Sequence, residues 1–205
     1  QTNTLIQNTQ HSSFIKSITS SGSGDMYIGT RQEGIICFAP NGIYKRSFSP
    51  DLQTTEQNNE TNALYYYNDT LWFSLGTNSL NMLDLKSNRI HTFPTQFGTT
   101  NVTNIRSILV YSDTELLVGA DNGLYLFNRT THQFLRMDDP SNPNSLSDQS
   151  IFNIFKDREG GIWISTNLGG VNYLPRNLKP FQSYFPRYQS GSISGKAISE
   201  FCEDA

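Results

Sequence analysis

The side chains best suited to bind a ligand are polar residues that follow short apolar runs of the chain. The amide and carboxylate groups of Asn, Gln and Asp pair with sugar hydroxyls, and Arg pairs with a carboxylate or sulfate on an acidic sugar. A second interpretation stays open, because Asn and Asp are also common in solvated turns, where they tolerate left-handed backbone geometry. The six candidate ligand-binding residues are Arg31, Gln32, Asn78, Asp121, Asn122 and Asn167.

The two tryptophans, Trp72 and Trp163, offer aromatic faces on which a sugar ring could stack. Both stand in apolar runs, at positions that Tyr27 and Leu117 occupy in two other runs. A position shared with leucine favours packing inside the protein over stacking on a ligand. We therefore expect Tyr27, Trp72, Leu117 and Trp163 to belong to the structural core.

Motifs that would indicate catalysis are absent from the sequence. It contains no Gly-x-Ser-x-Gly, no His-Glu-x-x-His and no phosphate-binding glycine loop. Residues 157–163 are similar to the Asp box of sialidases, but the glycine spacing differs by one residue, so we interpret Asp157 as the brace of a loop. Glycoside hydrolysis needs two carboxylates about 5 to 9.5 Å apart, a distance that a sequence does not reveal. We expect no catalytic residue and no enzyme activity in this chain.

Histidine and cysteine do not predict a metal site. His91 and His132 each precede a Phe by two residues, which places both in predicted outer strands at the solvent-exposed edge. Cys37 and Cys202 lie far apart and match no metal-binding or redox spacing. The sequence therefore predicts neither a metal nor a cofactor.

The composition excludes several classes of partner. The 205 residues make one domain or part of a larger one, and the net charge of −3 comes without a basic stripe that could bind nucleic acid. No apolar stretch approaches the roughly 18 residues that a membrane-spanning helix needs. No basic and then apolar leader follows Gln1, so we expect any signal peptide to have been removed.

A repeat of about 45 residues organises the chain. Four apolar runs each carry one large residue, at successive spacings of 45, 45 and 46, and a small residue two places later. One short apolar run precedes each of them and two more follow, which predicts four strands per repeat. Four strands in roughly 40 to 50 residues are typical of a β-propeller blade, in which a small residue lets the next blade approach closely. The small residues are Gly29, Ser74, Gly119 and Ser165.

The repeat predicts an all-β propeller fragment of about four four-stranded blades, with a partial blade at each end. Residues 1–12 are interpreted as the end of a preceding blade. Residues 197–205 repeat the pattern of 150–157 and so predict the start of a fifth, truncated blade, which indicates a piece of a longer propeller. The four predicted blades, all in one domain, span residues 13–49, 62–94, 104–138 and 150–186.

The predicted topology also places the candidate ligand-binding residues. In a propeller, the turns between second and third strands lie on the same face as the connections between blades, and all six candidates fall in such turns. Polar loops on a rigid scaffold commonly carry binding function, so we expect a ligand on this face. The long polar connections are predicted at residues 49–61, 94–103, 138–150 and 186–196.

The fourth predicted blade carries the most specific motif of the sequence. It runs from Ser145-Leu146-Ser147 through Asp157 and Gly160-Gly161 to Gly169-Gly170-Val171, and its opening recurs at residues 192–204. This motif resembles the two-component regulator propeller repeat, found in the periplasmic sensor region of Bacteroides-type hybrid histidine kinases. Ser165 departs from the repeat, which usually has Gly there, and Leu75 departs where Thr is expected.

The resemblance implies that the chain is the periplasmic, ligand-sensing part of a two-component sensor histidine kinase. Such a part would bind a glycan-derived oligosaccharide and signal across the membrane, through a phosphorelay, to control gene expression. The implied partners are the oligosaccharide, other blades and domains of the same sensor, and a second copy in a homodimer. Contact with the membrane would belong to parts outside this chain.

Two other functions remain open on the sequence. A propeller that only mediates protein contact or dimerisation would show an exposed apolar patch on an outer strand or on the bottom face. A carbohydrate-active propeller enzyme would show Asp, Glu or His side chains converging at the central channel.

Overall fold

The computed structural model describes residues 14–48, 60–76, 79–97, 100–142 and 145–176. These residues form β-strands, turns and loops, and no helix occurs among them. Consequently the described part of the chain has no helix that is long and apolar enough to cross a membrane. The predicted partial blades at 1–12 and 197–205 lie outside the described residues, as does the end of the fourth predicted blade.

The strands form four antiparallel sheets, in each of which strands adjacent in sequence pair with one another. The first three sheets have four described strands and the fourth has three. The first sheet contains β1 (Ile15–Ser20), β2 (Met26–Thr30), β3 (Ile35–Phe38) and β4 (Tyr44–Phe48); the second contains β5 (Leu64–Tyr67), β6 (Thr70–Ser74), β7 (Ser79–Asp84) and β8 (Arg89–Pro94). A short pair, β9 (Gln96–Phe97) and β10 (Thr100–Asn101), precedes the third sheet of β11 (Ile105–Ser112), β12 (Glu115–Ala120), β13 (Gly123–Asn128) and β14 (Gln133–Arg136). The fourth sheet contains β15 (Ile151–Lys156), β16 (Ile162–Thr166) and β17 (Val171–Leu174).

The sheets stack as the blades of a propeller, which confirms the predicted fold class. The first strands are neighbours in space, since β5 contacts both β1 and β11, and β11 contacts β15. In the first three sheets the second and third strands are largely buried, whereas β4 is largely exposed. This gradient arises because the middle strands are covered on both faces by neighbouring sheets while the outer strand meets solvent.

Three apolar clusters fill the interfaces between consecutive sheets. Tyr27 and Cys37 pack with Leu71 and Phe73 between the first and second sheets. The second and third sheets share an aromatic cluster, and the third and fourth share one rich in Leu and Ile. No sheet could bury both of its apolar faces alone, so each interface stabilises the two sheets that form it.

The small residue of the second strand permits close contact with the next sheet. A Cβ atom on Gly119 would lie 2.5 Å from Ile151 Cγ2, and one on Gly29 would lie 2.8 Å from Thr61 Cγ2. In the second sheet, Ser74 takes this place, and its Oγ accepts a 2.9 Å hydrogen bond within the same sheet, from the backbone N–H of Ala63 just ahead of β5. The sequence pattern of a large residue followed by a small one therefore indicates close packing between blades.

Adding a single methyl group at Gly119 should test this packing. We expect Gly119→Ala to lower the free energy of unfolding by about 1–3 kcal/mol, because the new Cβ overlaps the buried Ile151 side chain. Urea denaturation followed by tryptophan fluorescence measures the change. Gly22→Ala is the matched control, since no atom lies within 4 Å of its added Cβ, and it should leave stability unchanged or slightly raised. Equal effects of the two substitutions would contradict the close-packing argument.

Candidate functional site on the loop face

The turns that follow the second strands meet the connections between sheets on one surface, which we call the loop face. After each second strand, a backbone N–H donates to the carbonyl of a residue just ahead of the first strand in the same sheet. These four hydrogen bonds, which we call latches, hold each turn beside the connection that enters its sheet. They run from Arg31 to Phe14 (2.9 Å), Gly76 to Glu60 (2.9 Å), Asp121 to Thr103 (3.0 Å) and Asn167 to Ser150 (2.9 Å).

The Asp121 carboxylate is occupied by neighbouring side chains. It forms an ion pair with Arg106, whose Nη2 lies 3.3 Å from Oδ2, and it accepts a 2.6 Å hydrogen bond from Asn104 Nδ2. Partial burial opposes the charged form, but the hydrogen bonds from Arg106 and Asn104 outweigh it and hold the pKa of Asp121 below its usual value. A lowered pKa suits a structural carboxylate and is the opposite of what a general acid in glycoside hydrolysis requires.

The Asn122 side chain also bonds within the protein. Its Oδ1 accepts from the backbone N–H of Thr103 at 3.1 Å, and its Nδ2 donates to the carbonyl of Asn101 at 2.6 Å. Both groups of the amide are therefore used to fix the connection ahead of β11.

Two of the six candidates present side chains that are available to a ligand. Arg31 and Asn167 are exposed, and neither side chain has a hydrogen bond or ion pair with another residue that the structure describes. Gln32 is exposed in the same turn as Arg31 and has an interaction within the protein. Asn78 lies outside the described residues. The structure therefore leaves Arg31 and Asn167 as the freest polar groups among these candidates.

β-Bulges in the first strands bring further side chains to this face. The pairing of β1, β11 and β15 with their second strands shifts register at Lys16, Arg106 and Phe152, respectively. Lys16 Nζ lies 2.8 Å from Glu60 Oε1, and the Arg106 guanidinium lies 4.7 Å from the centre of the Phe152 ring. Bulges re-aim side chains and are frequent beside binding sites. Two cations and one aromatic ring are thus placed close to the entrances of their sheets.

Sequence reasoning missed these three residues, although the sequence does carry a signal. The pattern Ile-x-Ser-Ile or Ile-x-Asn-Ile occurs at residues 15–18, 105–108 and 151–154, each time with the bulged residue in its second place. A charged residue in a short apolar strand, as at positions 16 and 106, breaks the alternation of inward and outward side chains. A bulge allows such a residue to point to solvent while the apolar residues keep their places.

The predicted core positions differ in their surroundings. Tyr27 and Trp72 are 4% and 2% exposed, and Leu117 is equally well buried; each packs in the interface between its own sheet and the next. Trp163 is half-buried, and its ring lies 4.6 Å from that of Tyr173 on the same sheet. By the repeat, Trp163 occupies the position that packs on a following sheet in the first three sheets.

His91, His132 and Cys37 are the histidines and the cysteine that the structure describes, and they do not form a metal site. His91 lies in outer strand β8, as expected, but His132 precedes β14 and occupies a turn with a φ of 57°, so the predicted strand position was wrong for His132. The hydrogen bond from its N–H to the Asn128 carbonyl ties it to that turn. Cys37 is buried, and burial raises the pKa of its thiol. Among the described residues, no group of three or more His, Cys, Asp or Glu could hold a metal ion.

Asp157 braces the hairpin between β15 and β16. Its Oδ1 accepts from the backbone N–H groups of Glu159 and Gly161, at 3.0 and 2.7 Å, and its Oδ2 accepts from Trp163 Nε1 at 2.9 Å. The hydrogen bond from Trp163 is the largest cause of the lowered pKa of Asp157. Gly160 has a φ of 89°, which favours glycine there. The arrangement is that of a structural loop, as the sequence predicted.

The brace predicts a pH-dependent contribution to stability. Because the folded state lowers the pKa of Asp157 below its unfolded value of about 3.9, the contribution is complete above that value and is lost as the pH falls through the folded pKa. We expect Asp157→Asn to lower the free energy of unfolding at pH 7, and the difference from wild type to shrink below pH 4. Urea denaturation at a series of pH values measures this. Glu159→Gln removes a charge from the same loop but leaves the Asp157 carboxylate in place, so its stability should depend on pH as that of the wild type does. If the stability of Asp157→Asn also followed the wild-type pH profile, the assignment of Asp157 as the brace would be refuted.

The comparison with protein families matches one segment of the chain. A family model described as a two component regulator propeller matches residues 145–168, which include β15, the Asp157 brace and β16. A comparison with curated proteins gave no match.

Solved structures with a similar fold come from several bacterial surface proteins. The extracellular domain of the hybrid two component system BT4673 from B. thetaiotaomicron has a TM-score of 0.62 and 27% identity, over 78% of this chain and 21% of that one. The extracellular domain of BT3049, from the same organism, has a TM-score of 0.58 and 13% identity, over 94% and 31%. PorZ, a surface component of the type-IX secretion system of Porphyromonas gingivalis, has a TM-score of 0.57 and 19% identity, over 77% and 24%.

These three matches differ in sequence identity and therefore in what they show about this chain. The identities to BT3049 and PorZ show the fold alone, whereas BT4673 combines the fold with a higher identity. The chain spans about a fifth of the BT4673 domain. The matched region of BT4673 belongs to the extracellular domain of a hybrid two component system. The chain is therefore a β-propeller that carries a two component regulator propeller repeat at residues 145–168 and is similar to the extracellular domain of a hybrid two component system.

Proposed function

We propose that this chain is the ligand-sensing part of a two-component sensor histidine kinase, located in the periplasm. It binds a glycan-derived oligosaccharide without changing it chemically, and binding biases the arrangement of a dimeric sensor so that the signal crosses the membrane and controls gene expression. The single observation that supports this most is the regulator propeller repeat in a fold similar to an extracellular sensor domain.

The loop face has the chemistry that an oligosaccharide requires. Asn167 can pair with hydroxyls through both groups of its amide, and Arg31 can bind a carboxylate or sulfate in a bidentate manner. Phe152 is 45% exposed and offers an apolar surface to the face of a sugar ring. Arg106 adds positive charge beside Phe152 and Lys16 adds it at the first sheet, although each is already paired with a carboxylate. An acidic oligosaccharide is the ligand that fits this set best.

Asp121 and Asn122 have a different role in this proposal. Because their polar groups already bond to the connection ahead of β11, they shape the loop face and leave the contact with the sugar to Arg31 and Asn167.

A propeller that serves only protein contact is the alternative, and the exposed apolar residues bear on it. Phe155 and Val171 are 61% and 51% exposed on the fourth sheet, and Ile18 is 60% exposed on the first. Phe155 pairs with Trp163, so it shares the face that in other sheets packs on the next blade. These residues are suited to stacking on another sheet of the same kind, which supports propeller assembly more than contact with an unrelated protein.

Calorimetric titration with a panel of acidic and neutral oligosaccharides tests the proposal. We expect saturable heat with an acidic member of the panel, and a dissociation constant raised about tenfold or more by Arg31→Ala or Asn167→Ala, since each removes direct polar contacts. Arg89→Ala, in outer strand β8 away from the loop face, is the matched control and should leave binding unchanged.

Other outcomes would overturn the proposal in identifiable ways. Continuous heat in proportion to protein concentration would mean turnover and therefore an enzyme. If no oligosaccharide of the panel gave a heat of binding, the protein-contact function would be favoured.

A further inference from the structure

A second candidate binding site lies between the second and third sheets, at the end of the propeller opposite the loop face. It is a cavity of about 500 Å³. Its third-sheet wall comes from the turn between β11 and β12 and the turn between β13 and β14, whereas the loop face is built from the turns that follow second strands. This site is therefore separate from the one in the proposed function, and the inference goes beyond that function.

The second sheet supplies an aromatic wall. Trp72, Met82 and His91 pair across β6, β7 and β8, so their side chains form one row on the face turned to the third sheet. Phe93 stacks on Trp72 with ring centres 5.6 Å apart, and His132 lies 4.8 Å from Phe93. The two histidines, which the sequence placed on exposed outer strands, therefore line the same cavity from opposite sheets.

Arg129 is held at the edge of this wall with hydrogen-bond donors to spare. Its guanidinium lies 5.4 Å from the centre of the Trp72 ring and 5.6 Å from that of Tyr67. One Nη1 hydrogen bond, of 2.8 Å, goes to the carbonyl of Asp113. That bond fixes the group, and its remaining N–H donors make no hydrogen bond to the part of the chain that the structure describes. A guanidinium in this state is prepared to bind a carboxylate.

Three side chains that donate hydrogen bonds, Arg129, His91 and His132, line the cavity together with one carboxylate, that of Asp113. Arg129 is always protonated, and His91 and His132 each carry at least one N–H donor in any ionisation state. The negative charge of Asp113 offsets the positive charge of Arg129. The Oδ1 atom of Asp113 accepts a 3.3 Å hydrogen bond from the hydroxyl of Tyr67.

The wall also contains a buried donor without an acceptor. Trp72 is 2% exposed, and within the described residues its Nε1 has no hydrogen-bond partner. The equivalent Trp163 donates from Nε1 to Asp157, so an unpaired indole is not a property of this position in the repeat. Leaving a buried donor unpaired is costly, and a bound acceptor would relieve that cost.

We infer that this cavity binds a small carboxylate that also carries a ring-sized apolar face, with the carboxylate on Arg129 and the ring against the exposed His91 and His132, next to the buried Trp72 and Phe93. Two kinds of molecule have this chemistry, an acidic monosaccharide and an aromatic acid. The volume is sufficient for one such ring with its substituents.

The fluorescence of Trp72 reports directly on the site. The chain has two tryptophans, so in the Trp163→Phe protein the indole emission comes from Trp72 alone. We expect D-glucuronate or benzoate to shift or quench this emission saturably, and D-glucose, which lacks the carboxylate, to have no effect. Glucuronate alone would identify the sugar acid, and benzoate alone the aromatic acid. No response to either acid would overturn the inference.

Substitutions locate the binding group. In the same background, Arg129→Gln should raise the dissociation constant about tenfold or more, whereas Arg89→Gln, which removes a cation from the second sheet outside the cavity, should have no effect. Equal effects of the two would mean non-specific attraction and would refute the site.

A second measurement covers the case in which Arg129→Gln disturbs folding. The chain has three histidines, and in unmodified protein the imidazole NMR signals of His91 and His132 should move with the effective acid and stay still with glucose. Unmoved signals for both would refute the inference. Because the loop-face variants Arg31→Ala and Asn167→Ala do not touch this cavity, failure here and failure of the proposed function are distinguishable.

Discussion

The close approach of each sheet to the next, at the small residue of the second strand, is the contact on which the rest of the structure depends. A four-stranded sheet has two apolar faces, and stacking buries both only if the backbones come close together. Gly119 and Ile151 show how little room is left, because a Cβ atom at Gly119 would lie 2.5 Å from the isoleucine methyl group. Ser74 has a different role, because its side chain accepts a hydrogen bond from the backbone N–H of Ala63 within its own sheet. The close approach at Gly119 orients the next sheet and therefore its loops.

Positions equivalent in the repeat have acquired different local chemistry on this common frame. Trp72 is buried between sheets, and its indole nitrogen has no partner in the part of the chain that the structure describes, while Trp163 is half-buried and bonded to Asp157. The interface between the second and third sheets is aromatic, and the one between the third and fourth is aliphatic. The fold thus requires a large side chain at this position of the second strand. The indole N–H of that side chain can differ in its partner, as it bonds to a loop at Trp163 and lines a cavity at Trp72.

The sequence predicted the strands and their stacking well, because both follow from local apolar runs and from one spacing. It failed where a side chain bonds to a residue distant in the chain. The bond from Arg106 to Asp121 spans 15 residues, and the one from Asn122 to Asn101 spans 21, so neither was evident from a motif. The turn position of His132 was also missed, since it is set by the hydrogen bond that closes the turn on the Asn128 carbonyl. Candidate ligand residues could be assigned to a face from sequence, but their availability could be judged only from these bonds.

The latches on the loop face have a consequence for how such a protein can change. Each latch fixes the entrance of a sheet to its own second strand by a backbone bond, which is independent of the side chain. The connection that arrives there can therefore grow or shrink while the sheet keeps its place, and closing a longer loop costs only about 0.6 kcal/mol for each doubling of its length. Insertions and deletions between blades would thus alter the shape of the loop face in large steps at small cost in stability. A propeller of this kind could therefore acquire a new ligand specificity through changes in loop length more readily than through single substitutions.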